Sequence, residues 1–370
     1  MKEKLFLVVI VLVSIYLAGC TAKELKVPLE DVGMVGVMAF DYIDEDNLKL
    51  TVAIPQYSPE AKEHTQIFSV STDLISKGIV DIESLSDKKV VLNQLRVVLI
   101  NEEFARHGKV EKSIQHLYRN PEVGNKVLIA VVKGNGEEML KGKYPDKPNI
   151  NFYLNDLLQP SINTAFNPNT NIHDFIYAQT NPVFDAIVPI LEKKESKIEV
   201  EGIALFKGKN MLHSLPKDEA LIIQALQGRK KLAPMNLTLS NDSKGERLMM
   251  DLIDSKVKIK SNKNFDTPKL TITLHIEGTL VEFKGERENS LKTVESTAKL
   301  ENDINEELEE SISDFLKKLQ EFEADPIGLT ESFRMYYKGE WKEENKQEIL
   351  SKLQWDIHVN TSIMSTGTLK

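Results

Sequence analysis

Cysteine is almost absent from this chain: Cys20 is the single thiol in 370 residues. No internal disulfide can form, and no cysteine-based zinc site is available. Histidine is sparse and scattered over seven positions. His107 and His116 stand nine residues apart, which does not put them one turn apart on a helical face, so surface or structurally satisfied histidines are expected and no metal site. Net positive charge is also missing. Lys and Arg number 47 against 56 Asp and Glu, a formal charge of -9, which argues against a basic nucleic-acid-binding surface over the whole chain and against nucleic acid as a partner. Catalytic signatures are missing too. Gly136 and Gly142 enclose five residues where a phosphate loop needs four, and Tyr144 follows Lys143 where Ser or Thr is required. Gly134-Asn135-Gly136 lacks the third glycine of a dinucleotide turn, and neither His-Glu-x-x-His nor Gly-x-Ser-x-Gly occurs. No enzymatic activity and no cofactor are expected. Hydrophobic residues at 41% and charged residues at 28% exclude a collagen, a low-complexity scaffold and a polytopic membrane protein.

What is present begins at the N-terminus. Lys2 and Lys4 precede an uncharged run over residues 5–19. Fifteen helical residues reach about 22 Å, short of a hydrocarbon core of about 30 Å, so the run reads as the apolar region of a signal peptide and not as a membrane span. It ends in Leu17-Ala18-Gly19-Cys20, small residues before a cysteine. That pattern resembles a bacterial lipobox, in which the chain is cut before the cysteine and the thiol is acylated. The expected cut falls between Gly19 and Cys20, with Cys20 as the lipidation site. Two acyl chains, palmitate among the expected modifications, suffice for stable attachment to a bilayer. Lys2, Lys4 and Glu3 leave with the leader, which takes the net charge from -9 to -10.

Along the mature chain, 32–43 reads as a strand, Asp44-Glu45-Asp46-Asn47 as a turn, and 48–54 as the return strand of a hairpin. A strand at 66–71 and a helix at 73–82 follow. Residues 90–101 read as one strong strand and 104–118 as one helix, N-capped by Asn101. An apolar run covers 127–132. Over 143–183 prolines and asparagines accumulate around short helices at 149–158 and 172–179, and Glu192-Lys193-Lys194-Glu195 reads as a charged surface link. Beyond it come a hairpin at 200–215, a helix at 217–227 ended by Gly228, and strands at 237–239 and 248–259. Residues 270–283 alternate cleanly, with Leu270, Ile272, Leu274 and Ile276 on one face and Thr271, Thr273, His275 and Glu277 on the other. Leu300, Ile304, Leu308, Ile312, Leu316 and Leu319 recur at helical spacing in a helix over 294–322, expected to lie on that sheet. Residues 353–365 alternate again and close it. The expected organisation is a leader (1–19), an N-terminal α/β domain (20–142), a small connecting subdomain (143–196) and a C-terminal α+β domain (197–370). The expected fold class is multidomain α+β, with mixed sheets and a mostly antiparallel C-terminal sheet packed by the long helix.

Several short segments stand in a telling order. After Leu17-Ala18-Gly19-Cys20 come Asp31-Val32-Gly33-Met34-Val35-Gly36, Asp41 and the strand over 48–54. Then follow Leu95-Arg96-Val97-Val98-Leu99-Ile100-Asn101-Glu102-Glu103-Phe104-Ala105-Arg106-His107-Gly108, Leu117-Tyr118-Arg119-Asn120 and Glu201-Gly202-Ile203-Ala204-Leu205-Phe206-Lys207. Asp325-Pro326-Ile327-Gly328, Trp341 and the closing strand end the series. In this order and spacing, from residue 17 to the end, the chain resembles the Ger(x)C family, the C-subunit lipoproteins of spore germinant receptors. Thr21-Ala22 stands where many members carry Trp-Asp. The resemblance implies a three-domain protein without enzymatic activity, lipid-anchored on the outer face of the spore inner membrane. It also implies assembly with two integral membrane germinant receptor subunits and a role in nutrient-triggered germination. The competing reading, a substrate-binding lipoprotein of a membrane import system, predicts two similar lobes of alternating parallel strands. The antiparallel pattern of the second half disfavours it.

Overall fold

Apolar runs with little alternation build the centre of the molecule. The computed structural model describes residues 27–56, 64–147, 149–159, 168, 170–239, 245–285 and 293–365; the leader and Cys20 lie outside them. Val37–Tyr42 (β2), Val97–Asn101 (β6), Leu128–Lys133 (β7) and Ile187–Lys194 (β8) are neighbouring parallel strands. The apolar side chains of their cores are buried on both faces, as a covered parallel sheet requires. Antiparallel hairpins extend this centre at each side. Leu48–Pro55 (β3) and Thr65–Thr72 (β4) add to β2, while Lys197–Lys207 (β9) and Asn210–Pro216 (β10) add to β8. The result is an eight-stranded sheet in the order β10-β9-β8-β7-β6-β2-β3-β4.

Helices cover both faces. Ile75–Glu83 (α1), Glu102–Arg106 (α2), Val110–Arg119 (α3) and Ile172–Thr180 (α6) pack on one face around Phe40, Phe104 and Phe206. Gly136–Leu140 (α4) and Ile150–Leu158 (α5) pack on the other, over Val37, Ala39, Leu99 and Val132.

The expected single strand over 32–43 is broken. Val32–Met34 (β1) pairs in parallel with Lys89–Val91 (β5), and β2 starts afresh at Val37. The apolar stretch over 90–101 divides for the same reason, one piece in each sheet. The expected helix over 104–118 divides at Gly108, whose φ of +70° suits a residue without a Cβ and ends α2 before α3 begins. Asn101 does cap α2, its side chain accepting from the Phe104 N–H at 3.0 Å.

Residues 192–195 lie at the surface, as expected, but form part of a strand hairpin instead of an irregular link. Glu192, Lys193 and Lys194 belong to β8, which turns directly into β9 at the Lys194–Lys197 pair. The sheet therefore runs without interruption through the boundary expected at 196/197. A register shift on β9 explains how the second half is attached. Leu191 faces Val200 but Ile190 faces Gly202, so Glu201 is an extra residue. Before it, Ile198 and Val200 join the core under α4 and α5. After it, Ile203 and Leu205 join the C-terminal core, while Ala204 and Phe206 face α6.

That C-terminal core lies on a second sheet. Glu246–Ser261 (β13) pairs antiparallel with Lys231–Leu232 (β11), Met235–Leu239 (β12) and Lys269–Lys284 (β14). Gln354–Ser365 (β15) lies parallel to β14, the exception in a mostly antiparallel sheet. The reason is the connection: Val294–Glu321 (α8), Glu331–Arg334 (α9) and Glu343–Lys352 (α10) carry the chain back to the start of β14 before β15 begins. Leu270, Ile272, Leu274 and Ile276 are buried and His275 and Glu277 exposed, as the alternation predicts. Every member of the expected apolar stripe of α8 is buried, with Phe315 added. Thr293 and Ser296 cap its start reciprocally. Lys217–Leu226 (α7) is wedged against both sheets, with Ala220, Leu221, Ile223, Ala225 and Leu226 all in the shared core. Beyond its exposed first turn, Lys217 and Asp218, it is apolar nearly all round because it is buried between the sheets.

α8 also closes the free edge of β15. The backbone N–H groups of Val359, Thr361 and Ile363 donate to Glu309 Oε1 (2.8 Å), Asn305 Oδ1 (2.8 Å) and Glu301 Oε1 (2.7 Å). Acceptors four apart on a helix advance about 6.0 Å, and donors two apart on a strand about 6.6 Å. The near match lets one helix face satisfy successive edge amides.

Candidate functional site

A charge inside an apolar run must find a partner, since an isolated buried ion is strongly penalised. Three such charges meet where the two sheets join. Asp185 interrupts the apolar approach to β8, Asp325 follows α8, and Lys346 lies on α10 at helical spacing from Ile349 and Leu350. Their side chains are essentially buried. Lys346 Nζ donates to Asp185 Oδ2 at 2.8 Å, and Glu343 Oε1 stands 3.4 Å from the same ammonium. Asp185 Oδ2 also accepts from the Asp325 N–H at 2.6 Å, and the Asp185 N–H donates to the Asp325 carbonyl at 3.1 Å.

The Asp325 carboxylate caps its own turn. It accepts from the N–H groups of Gly328, Leu329 and Thr330 and from the Thr330 hydroxyl, all within 2.9 Å. Gly328 has φ of +85°, and a Cβ there would stand 2.2 Å from the Phe184 ring. The turn thus needs Asp at its start and Gly at its end to seat against the residue beside Asp185. Burial pushes the Asp325 carboxyl above its ordinary value, against the pull of its donors and of Lys346. For Lys346 burial acts downward, but Asp185, Glu343 and Asp325 together outweigh it and hold the ammonium above its ordinary value.

Beside this network lies a cavity of about 260 Å³, walled by Phe175, Tyr177, Phe184, Asp185, Gln227 and Pro326 among others. Gln227 Nε2 donates to the Pro326 carbonyl at 2.8 Å, tying the end of α7 to the turn. Trp341 Nε1 reaches the Pro182 carbonyl at 3.3 Å. Asp325, Pro326, Gly328 and Trp341, which the resemblance singled out, therefore act as parts of the joint. Asp185, Lys346 and Thr330 were missed. The signal available was a single charge in an apolar run for Asp185 and a lysine in register with two apolar helix residues for Lys346.

Asp41 is a second buried carboxylate. It accepts from the N–H groups of Gly136 (2.6 Å) and Glu137 (3.0 Å), which open α4. Burial raises it above its ordinary value despite these donors. Glu137 binds Lys141 at 2.6 Å and Lys49 at 2.8 Å, and these bonds draw its carboxyl down to about 2. Both carboxylates are thus structural partners of one helix start.

The histidines are dispersed. His107 stacks on Tyr42 and His213 on Phe322, with ring centroids 4.0 Å and 3.9 Å apart. His116 faces Ser76, His173 faces Tyr118, and on the outer face of the second sheet His275 stands opposite Asn360 and His358 opposite Thr273. Among the described residues no group of three His, Cys, Asp or Glu side chains is arranged to hold a metal, and no helix is long and apolar enough to cross a membrane. Cys20, the expected lipidation site, lies outside the described residues.

Comparison with known proteins covers nearly the whole chain. Residues 26–193 match the family model described as the spore germination protein N-terminal domain, and residues 201–367 match the spore germination B3/GerAC-like C-terminal model. Spore germination protein GerQC of Bacillus cereus is 26% identical over 97% of this chain and 98% of its own length. Spore germination protein B3 of Bacillus subtilis (strain 168) is 23% identical over 95% and 96%. The crystal structure of the GerBC protein shares the fold, with a TM-score of 0.59 at 18% identity, over 88% of this chain and 96% of that one.

Proposed function

The chain belongs to the spore germination B3/GerAC-like family, and from that premise we propose that it is the lipid-anchored, non-enzymatic subunit of a nutrient germinant receptor in the spore inner membrane. The observation that carries this reading is the end-to-end match to germination proteins through both family models. The lipobox-like Leu17-Ala18-Gly19-Cys20 supports the anchor, with Cys20 as the acylated residue on the outer face of that membrane. The buried carboxylates Asp41, Asp325 and Asp185 support a scaffold in preference to a catalyst, since the first two cap a helix and a turn and the third pairs with Lys346. Two integral membrane receptor subunits are the partners. A diacyl tether holds the ectodomain in a thin layer above the bilayer, which raises its effective concentration toward them and lets modest interfaces suffice.

The test is purification of the tagged full-length chain from dormant spore membranes. Two membrane proteins should co-purify in fixed ratio, and Cys20→Ala should move the chain to the soluble fraction. Recovery of the chain alone, or membrane retention unaffected by Cys20→Ala, would count against the reading.

A further inference from the structure

Sheet edges expose unpaired backbone groups, and proteins blunt them with charge, proline, bulges, short length or a covering helix. Four edges of this molecule follow the rule. β15 is capped by Glu301, Asn305 and Glu309 of α8. β10 carries a register shift between Met211 and His213, ends in Pro216, and has its Leu212 carbonyl reached by Arg106. β11 has two residues, and β12 five.

Among the described residues the edge of β4 shows none of these, α1 packing on the Phe68 and Val70 face of the sheet. β4 is the last strand of the eight-stranded sheet and, among the described residues, pairs with β3 alone. Its eight residues, Thr65-Gln66-Ile67-Phe68-Ser69-Val70-Ser71-Thr72, include no charge, no proline and no glycine, in a chain of which 28% is charged. Its register with β3 is unbroken. Ile67 on one face and Phe68 and Val70 on the other are only partly buried, each packed against a core it does not close. An added strand would complete both faces.

The surroundings say what kind of strand. Beside the Thr65 end runs an open groove of about 580 Å³ lined by His64, Lys141, Lys143, Tyr144 and Lys147 together with Thr65 and Ile67 of β4 itself. No carboxylate lines it among the described residues. Lys141 engages Glu137, Lys147 lies over the Tyr153 ring, and Asp146 sits in the turn between Tyr144 and Lys147. The local excess of cations opposes the net charge of -9 of the chain as a whole. A second copy of this acidic chain is therefore a poorer match than a separate acidic segment.

We infer that β4 is a docking edge for an extended, acidic segment of a partner protein, which adds as a ninth strand with its carboxylates in the lysine-lined groove. The inference deepens the proposed reading, since it names the contact through which a receptor subunit would be held.

The test places a photo-reactive phenylalanine analogue at Thr65 of the full-length chain. Dormant spores are illuminated and the joined peptide is mapped by mass spectrometry. The expected adduct is a segment of a different protein carrying two or more Asp or Glu residues. Its yield should fall about fivefold or more in Lys143→Glu/Lys147→Glu, whose substitutions lie at exposed positions and whose melting curve should match the parent's. An adduct to a second copy of this chain, to a segment without carboxylates, or to nothing would overturn the inference, as would a yield indifferent to the charge reversal. Co-purification of membrane subunits without a Thr65 adduct would overturn the docking edge and leave the subunit assignment standing.

Discussion

Lys346 and Asp185 are 161 residues apart in sequence and 2.8 Å apart in space, and both are buried. Removing one member of a buried pair strands the other without solvent, at a cost of about 3–5 kcal/mol against a typical domain stability of about 5–15. Lys346→Ala should therefore lower the denaturation midpoint of the purified ectodomain severely. Asp185→Asn combined with Lys346→Met should cost less than the sum of the single changes, because neither residue then carries a charge and the Asp325 N–H keeps an acceptor. Additive losses would show that the pair is not a unit.

The same network sets an alkaline limit. The folded-state value of Lys346 is raised above 10.5, so the stability it confers is complete below pH 10.5 and is lost as pH rises through the folded value. Melting temperature should fall above pH 10.5 more steeply in the parent than in Lys346→Met. At the other end, Glu137 is drawn from 4.5 to about 2, and its contribution is present above pH 4.5 and lost as pH falls toward 2. Glu137→Gln should flatten that acid limb; an unchanged acid limb would contradict the assignment.

Along β15, Glu301→Ala/Asn305→Ala/Glu309→Ala removes three acceptors from edge amides. Each buried N–H left unpaired costs about 1–3 kcal/mol. Hydrogen exchange at Val359, Thr361 and Ile363 should accelerate selectively, and the newly bared edge should promote self-association. Unchanged exchange at these amides would mean that strand pairing alone protects them.

Leu308 lies 5% exposed in the core shared by α7, α8 and the second sheet. Leu308→Ala should cost about 2–5 kcal/mol and lower the melting temperature measurably. A variant that melts like the parent but loses the membrane proteins expected to co-purify would make this helix an interface and not a core element.

Periodic elements were legible in the sequence because their burial is local. The period-two run from Leu270 to Ile276 and the helical repeat from Leu300 to Leu319 each declare a face without reference to the rest of the chain. Junctions were not. Whether 90–101 is one strand or two depends on where β1 and β2 stand, and whether β15 is parallel depends on the path of α8 to α10. The extra residue at Glu201, which turns β9 from one core to another, is invisible to alternation because the stretch that follows it, Gly202 to Phe206, carries no polar side chain on either face. For the joint, Asp325 and Gly328 were singled out by resemblance, but their role required Phe184 and Asp185, about 140 residues upstream.

The proposed role is nutrient-triggered germination through a receptor complex. Its most direct test is the germination of spores lacking the chain, triggered by nutrients and, separately, by a stimulus that bypasses receptors. Normal sporulation, loss of response to at least one nutrient, an intact response to the bypass stimulus, and rescue by the full-length chain are expected. Normal response to every nutrient, or failure with the bypass stimulus as well, would contradict it.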